Sequence, residues 1–177
     1  MNLAELIRTR RTVGGFSDQP VDPAVIEELL ESAIFAPNHK MTQPWRFIFM
    51  EGEFRQKYAT LRSEMGAENG KNPEKEYQKF IGVPLFLFVV MKESDHAHTR
   101  TEDYAATSAL IQKILLLAWE KGIGSAWKTY PDDPRLNNLI GLGAGETVVG
   151  VLHLGYPSGD DKTPKRQELK TKISYLR

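Results

Sequence analysis

The sequence predicts an α+β fold, with a mixed central β-sheet flanked by helices, in a single domain over residues 1–177. Helical and β-type patterns of apolar residues are interspersed along the chain, without repeats or low-complexity linkers. Two helical patterns precede the first β-type run, so the regular strand and helix alternation of a doubly wound fold is absent. With 41% hydrophobic side chains, a chain of 177 residues can bury a core without disulfides or structural metals.

The first two helices carry clear start signals. Asn2–Glu5 has the N-cap residue and the acidic N3 residue of a capping box, and the short helix that follows ends in the arginines of Arg8–Arg11. Asp22 and Pro23 form an N-cap with proline at the first helical position. Apolar residues then recur at helical spacing, which predicts a second, amphipathic helix that ends near Phe35.

The next part of the chain alternates between β-type and helical patterns. Trp45–Met50 is short and aromatic and predicts a strand, and Glu53–Met65 predicts a helix. Gly66–Lys79 is polar throughout, which favours a loop. Pro84–Met91 is a continuous apolar run of strand length, a pattern typical of a strand that is covered on both faces. We therefore expect this strand near the centre of the sheet.

The C-terminal half contains the longest helical pattern. Asp103–Gly122 has a wide apolar stripe and a terminal glycine, which predicts a core helix. Ser125–Thr129 predicts a short strand, Asp133–Gly141 a short helix that begins with an Asp-Pro pair, and Thr147–Gly155 a second strongly apolar strand. The remaining segment, Tyr156–Arg177, is a polar tail.

Composition and charge exclude several classes of function. The absence of cysteine excludes thiolate nucleophiles, CxxC redox centres and iron–sulfur ligation, so any redox chemistry requires a bound cofactor. Basic and acidic side chains balance at 23 each, which gives no reason to expect a nucleic-acid partner. Because no apolar segment is long enough for a membrane span or typical of a signal peptide, we expect a cytoplasmic protein without a membrane partner.

Two weaker motifs favour structural interpretations. The glycine clusters Gly122–Gly124 and Gly141–Gly145 follow predicted helices, whereas a dinucleotide-binding turn must follow a strand and open a helix. His96 and His98 lie among acidic residues, but a polar segment after a strand explains them as solvated side chains, so we expect no metal site.

Arg8–Thr12 has two interpretations. Cations are favoured at a helix C-terminus, each by roughly 0.3–1 kcal/mol, so the arginines are explained by a solvated helix end. Three guanidinium groups close together also repel one another unless an anion is near, and arginine binds phosphate through its bidentate fork. The residues alone do not decide between the two.

A second polar stretch, Ala36–Trp45, lies between a predicted helix and a predicted strand. Its prolines restrict the backbone, and its side chains are rich in hydrogen-bonding groups, as expected for a ligand wall. His39 is its only histidine, and an isolated histidine in such a loop is explained equally by a surface or turn position.

Four segments together resemble the FMN-dependent nitroreductase family. In chain order they are Arg10–Thr12, Ala36–Trp45, Glu120–Ser125 and Val149–Pro157. The resemblance covers about residues 2–166, and the length is similar to that of the compact, YdjA-like members. It implies a nitroreductase-like fold and an intertwined homodimer, with FMN at the subunit interface and each site built from both chains.

The resemblance also implies a set of cofactor-binding residues. The implied phosphate and ribityl ligands are Arg10, Arg11 and Thr12, with Lys165 or Arg166 as a further basic residue near the phosphate. A second set, here called the loop group, reaches the partner's cofactor and consists of Phe35, Pro37, Asn38, His39 and Gln43. The third set passes the isoalloxazine ring and consists of Trp127, Lys128 and Thr129. Many relatives carry Lys or Arg at the position of Gly14, so this chain lacks that cation.

The function implied by the resemblance is an NAD(P)H-dependent FMN oxidoreductase. FMN receives a hydride from the nicotinamide and passes electrons to a nitroaromatic, quinone or related planar acceptor in a ping-pong scheme, so no catalytic side chain is assigned. The alternatives are a non-catalytic flavin-binding sensor or carrier, and a small-molecule-binding or interaction domain without flavin. Neither the preference between NADH and NADPH nor the physiological acceptor follows from the sequence.

Overall fold

A four-stranded sheet in the order β1-β2-β4-β3 forms the centre of the computed structural model, which describes residues 2–159 and 166–176. All three strand pairs are antiparallel. A parallel pairing is found where Thr12 forms a bridge with Ser125, next to the edge strand β3. The predicted mixed sheet is therefore antiparallel in its strands, with a parallel component at this bridge. The strands are β1 (Trp45–Met50), β2 (Leu85–Lys92), β3 (Gly124–Lys128) and β4 (Glu146–Gly155).

Helices pack on both faces of the sheet. They are α1 (Leu3–Thr9), α2 (Pro23–Ala33), α3 (Gly52–Glu68), α4 (Pro73–Ile81), α5 (Ala97–Glu120) and α6 (Pro134–Ile140), with short 3-10 turns at His39–Met41 and Leu169–Lys172. The capping signals are confirmed: Asn2 and Glu5 form a capping box, and Asp22 and Asp133 each cap a helix that begins with proline.

The prediction of a loop over Gly66–Lys79 was wrong, because this segment contains most of α4. Asn72 caps the helix by accepting a hydrogen bond from the Lys75 N–H at 2.9 Å, and Pro73 occupies the first helical position. The helix is polar because it buries mainly Phe80. A polar composition therefore concealed a helix whose Asn-Pro start has the same form as the Asp-Pro starts of α2 and α6.

The long helix α5 begins at Ala97, earlier than the predicted Asp103. Its first turns are largely exposed and bury no apolar side chain. Apolar periodicity therefore begins only where the helix enters the core, which explains the late predicted start.

The core lies on both sides of β2, as its continuous apolar sequence predicts. Leu85, Leu87, Val89 and Met91 belong to a cluster with α2 and α5, whereas the alternate residues Phe86, Phe88 and Val90 belong to a cluster with α3, α4 and α6. Each such side chain contributes roughly 1.5–3 kcal/mol when fully buried. Among the helices that the structure describes, none is long and apolar enough to cross a membrane.

Candidate functional site

The segment that follows α1 is attached to the edge of the sheet. The Val13 N–H donates to the Ser125 carbonyl at 2.9 Å, and the Ser17 N–H donates to the Tyr156 carbonyl at 2.8 Å. A Cβ at Gly124 would lie 2.6 Å from Val13 Cγ2, so glycine is required for this close approach. These contacts fix the arginine-rich segment beside β3.

Arg11 is held against α5. Its Nε donates to the Thr9 carbonyl at 3.1 Å, and its guanidinium lies 5.8 Å from the ring centroid of Trp119. The Trp119 Nε1–H donates to Thr9 Oγ1 at 3.2 Å, which joins the three side chains. The position of the Arg11 guanidinium is therefore set by α5 as well as by its own helix end.

Arg10 and Arg166 bring two guanidinium groups together. Partial burial lowers the pKa of Arg10, and the positive charge of Arg166 lowers it further. Mutual repulsion between two cations makes their neighbourhood favourable for an anion with two or more negative charges. Of the two predicted C-terminal basic residues, Arg166 is thus near enough to lower the pKa of Arg10, whereas Lys165 lies outside the described residues.

A cavity of about 440 Å³ continues from this segment along the sheet edge. The segment after α1 and the C-terminal part of α4 both line it, and β3 and β4 contribute further side chains. Its lining includes Gly14, Gly15, Gln78, Lys79, Lys128 and His153. We call this cavity the edge groove.

The edge groove contains functional candidates that the sequence analysis missed. Gln78 and Lys79 lie on α4, which the polar composition concealed, so the only signal for them was the Asn72-Pro73 helix start. Lys79 and Lys128 place two cations in a cavity whose wall at Gly14 has no side chain. Positive charge in this cavity therefore comes from lysines on α4 and β3 and not from position 14.

Trp127 and Thr129 flank Lys128 at the end of β3, and both are exposed. The Trp127 Nε1–H donates to the Val149 carbonyl at 3.4 Å, which orients the indole across β4. The three residues predicted to pass the ring of the cofactor therefore lie at the open edge of the sheet.

The loop after α2 is braced by its own side chains and by α5. Asn38 Nδ2 donates to the Ala36 carbonyl at 3.0 Å, and Asn38 Oδ1 accepts from the Gln43 N–H at 3.1 Å. Thr42 Oγ1 donates to the buried carboxylate of Asp103 at 2.7 Å. Asn38 and Thr42 thereby hold the loop in one conformation.

This loop also stores backbone strain. Lys40, Met41 and Gln43 have φ angles of 50°, 56° and 42°, which lie in the left-handed region that non-glycine residues rarely adopt. Each such residue costs of the order of 1–3 kcal/mol and persists only where surrounding contacts impose it. Strain of this kind is typical of functional loops.

Two shallow cavities bring the loop residues together. Phe35, Pro37, Asn38 and Gln43 line a cavity of about 390 Å³, and Pro37, Asn38 and His39 also line a cavity of about 420 Å³ against α5. The Phe35 carbonyl accepts from Lys113 Nζ at 2.7 Å, while the residue as a whole is 80% exposed. The predicted site residues thus form two groups, one at the edge groove and one on the loop.

His153 is a further titratable group at the edge groove. It is buried on β4, with its ring edge-on to Phe86 at a centroid distance of 4.9 Å. Burial, followed by the charges of Lys128, Arg62 and Lys79, lowers the pKa of His153 to about 3. The imidazole is therefore neutral at physiological pH.

Comparison with known proteins assigns the chain to a family. The sequence model of the Nitroreductase family matches residues 7–156. The chain belongs to the nitroreductase family. It is 38% identical to YfhC of Bacillus subtilis (strain 168) over 184 residues, which cover 98% of this chain and 94% of the relative. It is 27% identical to YdjA of Escherichia coli (strain K12) over 164 residues, which cover 89% of each chain.

Solved nitroreductases share the fold. The nitroreductase-like family protein from Bacillus cereus superposes with a TM-score of 0.89 at 36% identity, over 99% of this chain and 96% of the other. NfnB from sphigopyxis sp. strain HMH superposes with a TM-score of 0.79 at 19% identity, over 100% of both chains. The predicted family and the nitroreductase-like α+β fold are confirmed.

Proposed function

We propose that this nitroreductase is an NAD(P)H-dependent FMN oxidoreductase that reduces nitroaromatic, quinone or related planar acceptors. The observation that carries the proposal is the pair of guanidinium groups, Arg10 and Arg166, at one end of a segment that leads into the cationic edge groove. Its relatives YfhC and YdjA are provisionally named NAD(P)H nitroreductases. NfnB, which shares the fold, is described as an FMN- and NADPH-dependent nitroreductase.

The residues present fit the phosphate end of FMN. A phosphate monoester carries a charge between −1.5 and −2 near pH 7 and accepts hydrogen bonds at three oxygens. Arg10 and Arg166 supply the matching positive charge, and Arg11, next to Arg10 in the chain, is held in place by Thr9 and Trp119. Thr12 adds an exposed hydroxyl next in the chain. We assign these four residues, with Lys165, to the phosphate and ribityl chain.

The residues present also fit the ring end. Gly14 and Gly15 leave the wall of the edge groove open to a flat group, and Lys79 and Lys128 bring positive charge to it. Positive charge favours an electron-rich ring edge, because it stabilises negative charge that develops there. Trp127 and Thr129 complete this end, together with Gln78.

FMN, when bound, supplies the two-electron carrier that accepts hydride from NAD(P)H and delivers it to the acceptor in a ping-pong scheme. The role of the chain's own residues is to bind FMN and to orient it. Arg10, Arg11 and Arg166 hold the phosphate, and Lys79 and Lys128 maintain positive potential at the ring. No side chain is assigned as a catalytic acid or base. The relatives' names give no support to a non-catalytic sensor or carrier.

We further propose a homodimer in which the loop group of one chain meets the cofactor of the other. Large apolar side chains are exposed on α1, on the loop and on α5: Leu3 by 67%, Phe35 by 80%, Met41 by 69% and Tyr104 by 50%. Exposed apolar patches of this kind are typical of protein interfaces. Phe35, Pro37, Asn38, His39 and Gln43 are assigned to the partner's cofactor on this basis. A cytoplasmic location and a single domain over residues 1–177 are also proposals.

The visible spectrum of the purified protein tests the proposed function. We expect a yellow protein that releases FMN, identified by chromatography, at one molecule per chain and oxidises NAD(P)H when a quinone or nitroaromatic is supplied. Recovery of FAD, or failure to bind FMN after reconstitution, would contradict the cofactor assignment. A yellow protein that consumes no NAD(P)H with any acceptor would indicate a carrier or sensor instead.

A further inference from the structure

A second, smaller cavity of about 150 Å³ adjoins the edge groove. It shares three lining residues with the groove, namely Lys79, Lys128 and His153. Its other lining residues are Thr129, which follows β3, and Tyr58, Arg62 and Phe80 on α3 and α4. The assignment of FMN uses Lys79, Lys128 and Thr129 but not Tyr58, Arg62 or Phe80, so the side of the cavity formed by α3 and α4 requires a separate explanation.

The charges around this cavity are unbalanced. Arg62, Lys79 and Lys128 line it, and no carboxylate is among its lining residues. Lys79 Nζ lies 3.7 Å from the Glu76 carboxylate, which is also 3.9 Å from Lys71 Nζ, so this one acidic side chain is shared between two lysines. The cavity is therefore net positive.

Arg62 is poorly satisfied within the part of the chain that the structure describes. Its Nε is buried and has no hydrogen-bond partner, and its Nη1 donates to Tyr58 Oη only at 3.5 Å. The guanidinium stacks on the Phe80 ring at 4.5 Å, and no carboxylate of the described residues forms an ion pair with it. A guanidinium has five N–H donors, and a half-buried one without an anion is unfavourable.

His153 adds a polar group without adding a fourth positive charge. A neutral imidazole offers one N–H donor and one acceptor nitrogen. The ring is edge-on to Phe80 at a centroid distance of 6.1 Å as well as to Phe86, so the cavity is lined by both aromatic and cationic side chains. This combination is suited to a small aromatic group with an anionic substituent.

We propose that the cavity binds the anionic group of a small aromatic acid, so that the protein prefers planar acceptors that carry a carboxylate. The inference rests on the proposed function, because it places the acceptor beside the ring end of the edge groove. An anionic group is also present in NADPH as the 2′-phosphate, which NADH lacks. The small volume and the Tyr58 and Phe80 walls favour the acceptor carboxylate.

Calorimetric titration with benzoate and with benzamide, its neutral counterpart of similar shape, tests the cavity directly. We expect the purified protein to bind benzoate at least about tenfold more tightly than benzamide, and Arg62→Gln to abolish this preference. Lys57→Gln is the matched control, since Lys57 lies on the same helix and is paired with Glu53 at 2.7 Å. Equal affinity for the two compounds in the wild type would overturn the proposal, and this comparison needs no variant to fold.

Steady-state kinetics separates the two sources of the anion. If the cavity takes the acceptor, kcat/KM for 4-nitrobenzoate should exceed that for 4-nitrobenzamide about tenfold, and Arg62→Gln should remove the difference. A variant that loses only a preference for NADPH over NADH would refute the acceptor assignment. Absence of bound flavin would refute the proposed function alone, because benzoate binding is measured independently of turnover.

Discussion

The guanidinium of Arg11 lies 5.8 Å from the ring centroid of Trp119, and this contact links the end of α1 to α5. The Trp119 indole N–H reaches back to Thr9 Oγ1 at 3.2 Å, and the Thr9 carbonyl accepts from Arg11 Nε at 3.1 Å. A long, flexible side chain is thereby held in place before any ligand binds. Preorganisation of this kind lowers the entropic cost of binding an anion.

We predict that Arg11→Ala weakens FMN affinity by about 10 to 150 fold, because it removes a charge-assisted hydrogen bond of roughly 1.5–3 kcal/mol. Arg8→Ala is the matched control, since Arg8 is exposed in the last turn of the same helix. FMN titration of the apoproteins, with their melting temperatures, measures the effect. A solvated helix end predicts at most about 1 kcal/mol of lost stability and unchanged affinity, so equal affinities would exclude Arg11 as a phosphate ligand.

Inorganic phosphate should stabilise the apoprotein if Arg10 and Arg166 form an anion site. A ligand at one hundred times its Kd adds about 2.7 kcal/mol to the free energy of unfolding, and each kcal/mol raises the melting temperature by about 2–4 °C. Arg10→Ala should abolish this rise, whereas Arg8→Ala should preserve it. A phosphate-dependent rise of the same size in Arg10→Ala would place the anion elsewhere.

Thr42→Val should loosen the loop after α2. The variant removes the donor to the buried Asp103 carboxylate, which costs about 1–3 kcal/mol when that acceptor is left unsatisfied. The expected readouts are a lower melting temperature and faster proteolysis within residues 38–43. Thr101→Val is the control, because the Thr101 hydroxyl donates to the Ala97 carbonyl one turn earlier in the same helix. Identical stability and proteolysis in the two variants would show that Thr42 does not anchor the loop.

The protein should become less stable as the pH is lowered, because His153 is buried in its neutral form. Its pKa is about 3 in the folded protein and about 6.5 in an unfolded chain, so the unfolded state binds the proton first. The contribution of the neutral imidazole is complete above pH 6.5 and is lost, at about 1.4 kcal/mol per pH unit, as pH falls towards 3. Denaturant unfolding between pH 7 and pH 5 measures this slope. His153→Gln should flatten it, but the exposed His98→Gln should leave it unchanged.

Phe35→Ser should weaken both the dimer and FMN binding if the loop group completes the partner's site. Phe54→Ser is the matched control, since Phe54 is also exposed and lies on α3, with its ring centroid 5.0 Å from Lys57 Nζ. Light scattering across a dilution series measures the dimer, and FMN titration measures cofactor affinity, in both the Phe35→Ser and the Phe54→Ser variants. A wild-type monomer that retains FMN tightly would contradict a site built from two chains.

Local signals in the sequence predict most of the fold. The continuous apolar run at Pro84–Met91 predicts a central strand, because a strand covered on both faces needs apolar residues at every position. The structure confirms this, since β2 is buried on both faces. Helix α4 could not be found in the same way, because one buried phenylalanine does not produce a periodic pattern. Sequence patterns thus predict elements whose burial is extensive and miss those whose burial is minimal.

The site is less predictable because its residues are distant in sequence. Arg10 is singled out by its arginine-rich surroundings, but Arg166, whose charge lowers the pKa of Arg10, lies near the other end of the sequence. Lys79 joins Lys128 only through the packing of α4 against the edge of the sheet. The sequence alone does not decide whether Arg8–Thr12 binds an anion or forms a solvated helix end. The positive charge of Arg166 near Arg10 favours the anion site.

The bridge between Thr12 and Ser125 sets the scale of the groove. Lys128 lies three residues beyond Ser125 on β3, and because a strand advances about 3.3 Å per residue, the two are about 10 Å apart along the sheet edge. The arginines therefore lie near one end of β3 and Lys128 lies at the other end. If FMN binds as proposed, only a ligand long enough to reach both ends gains full affinity. We expect riboflavin, which has the ring of FMN but lacks the phosphate, to reach the lysine end alone and to bind more weakly.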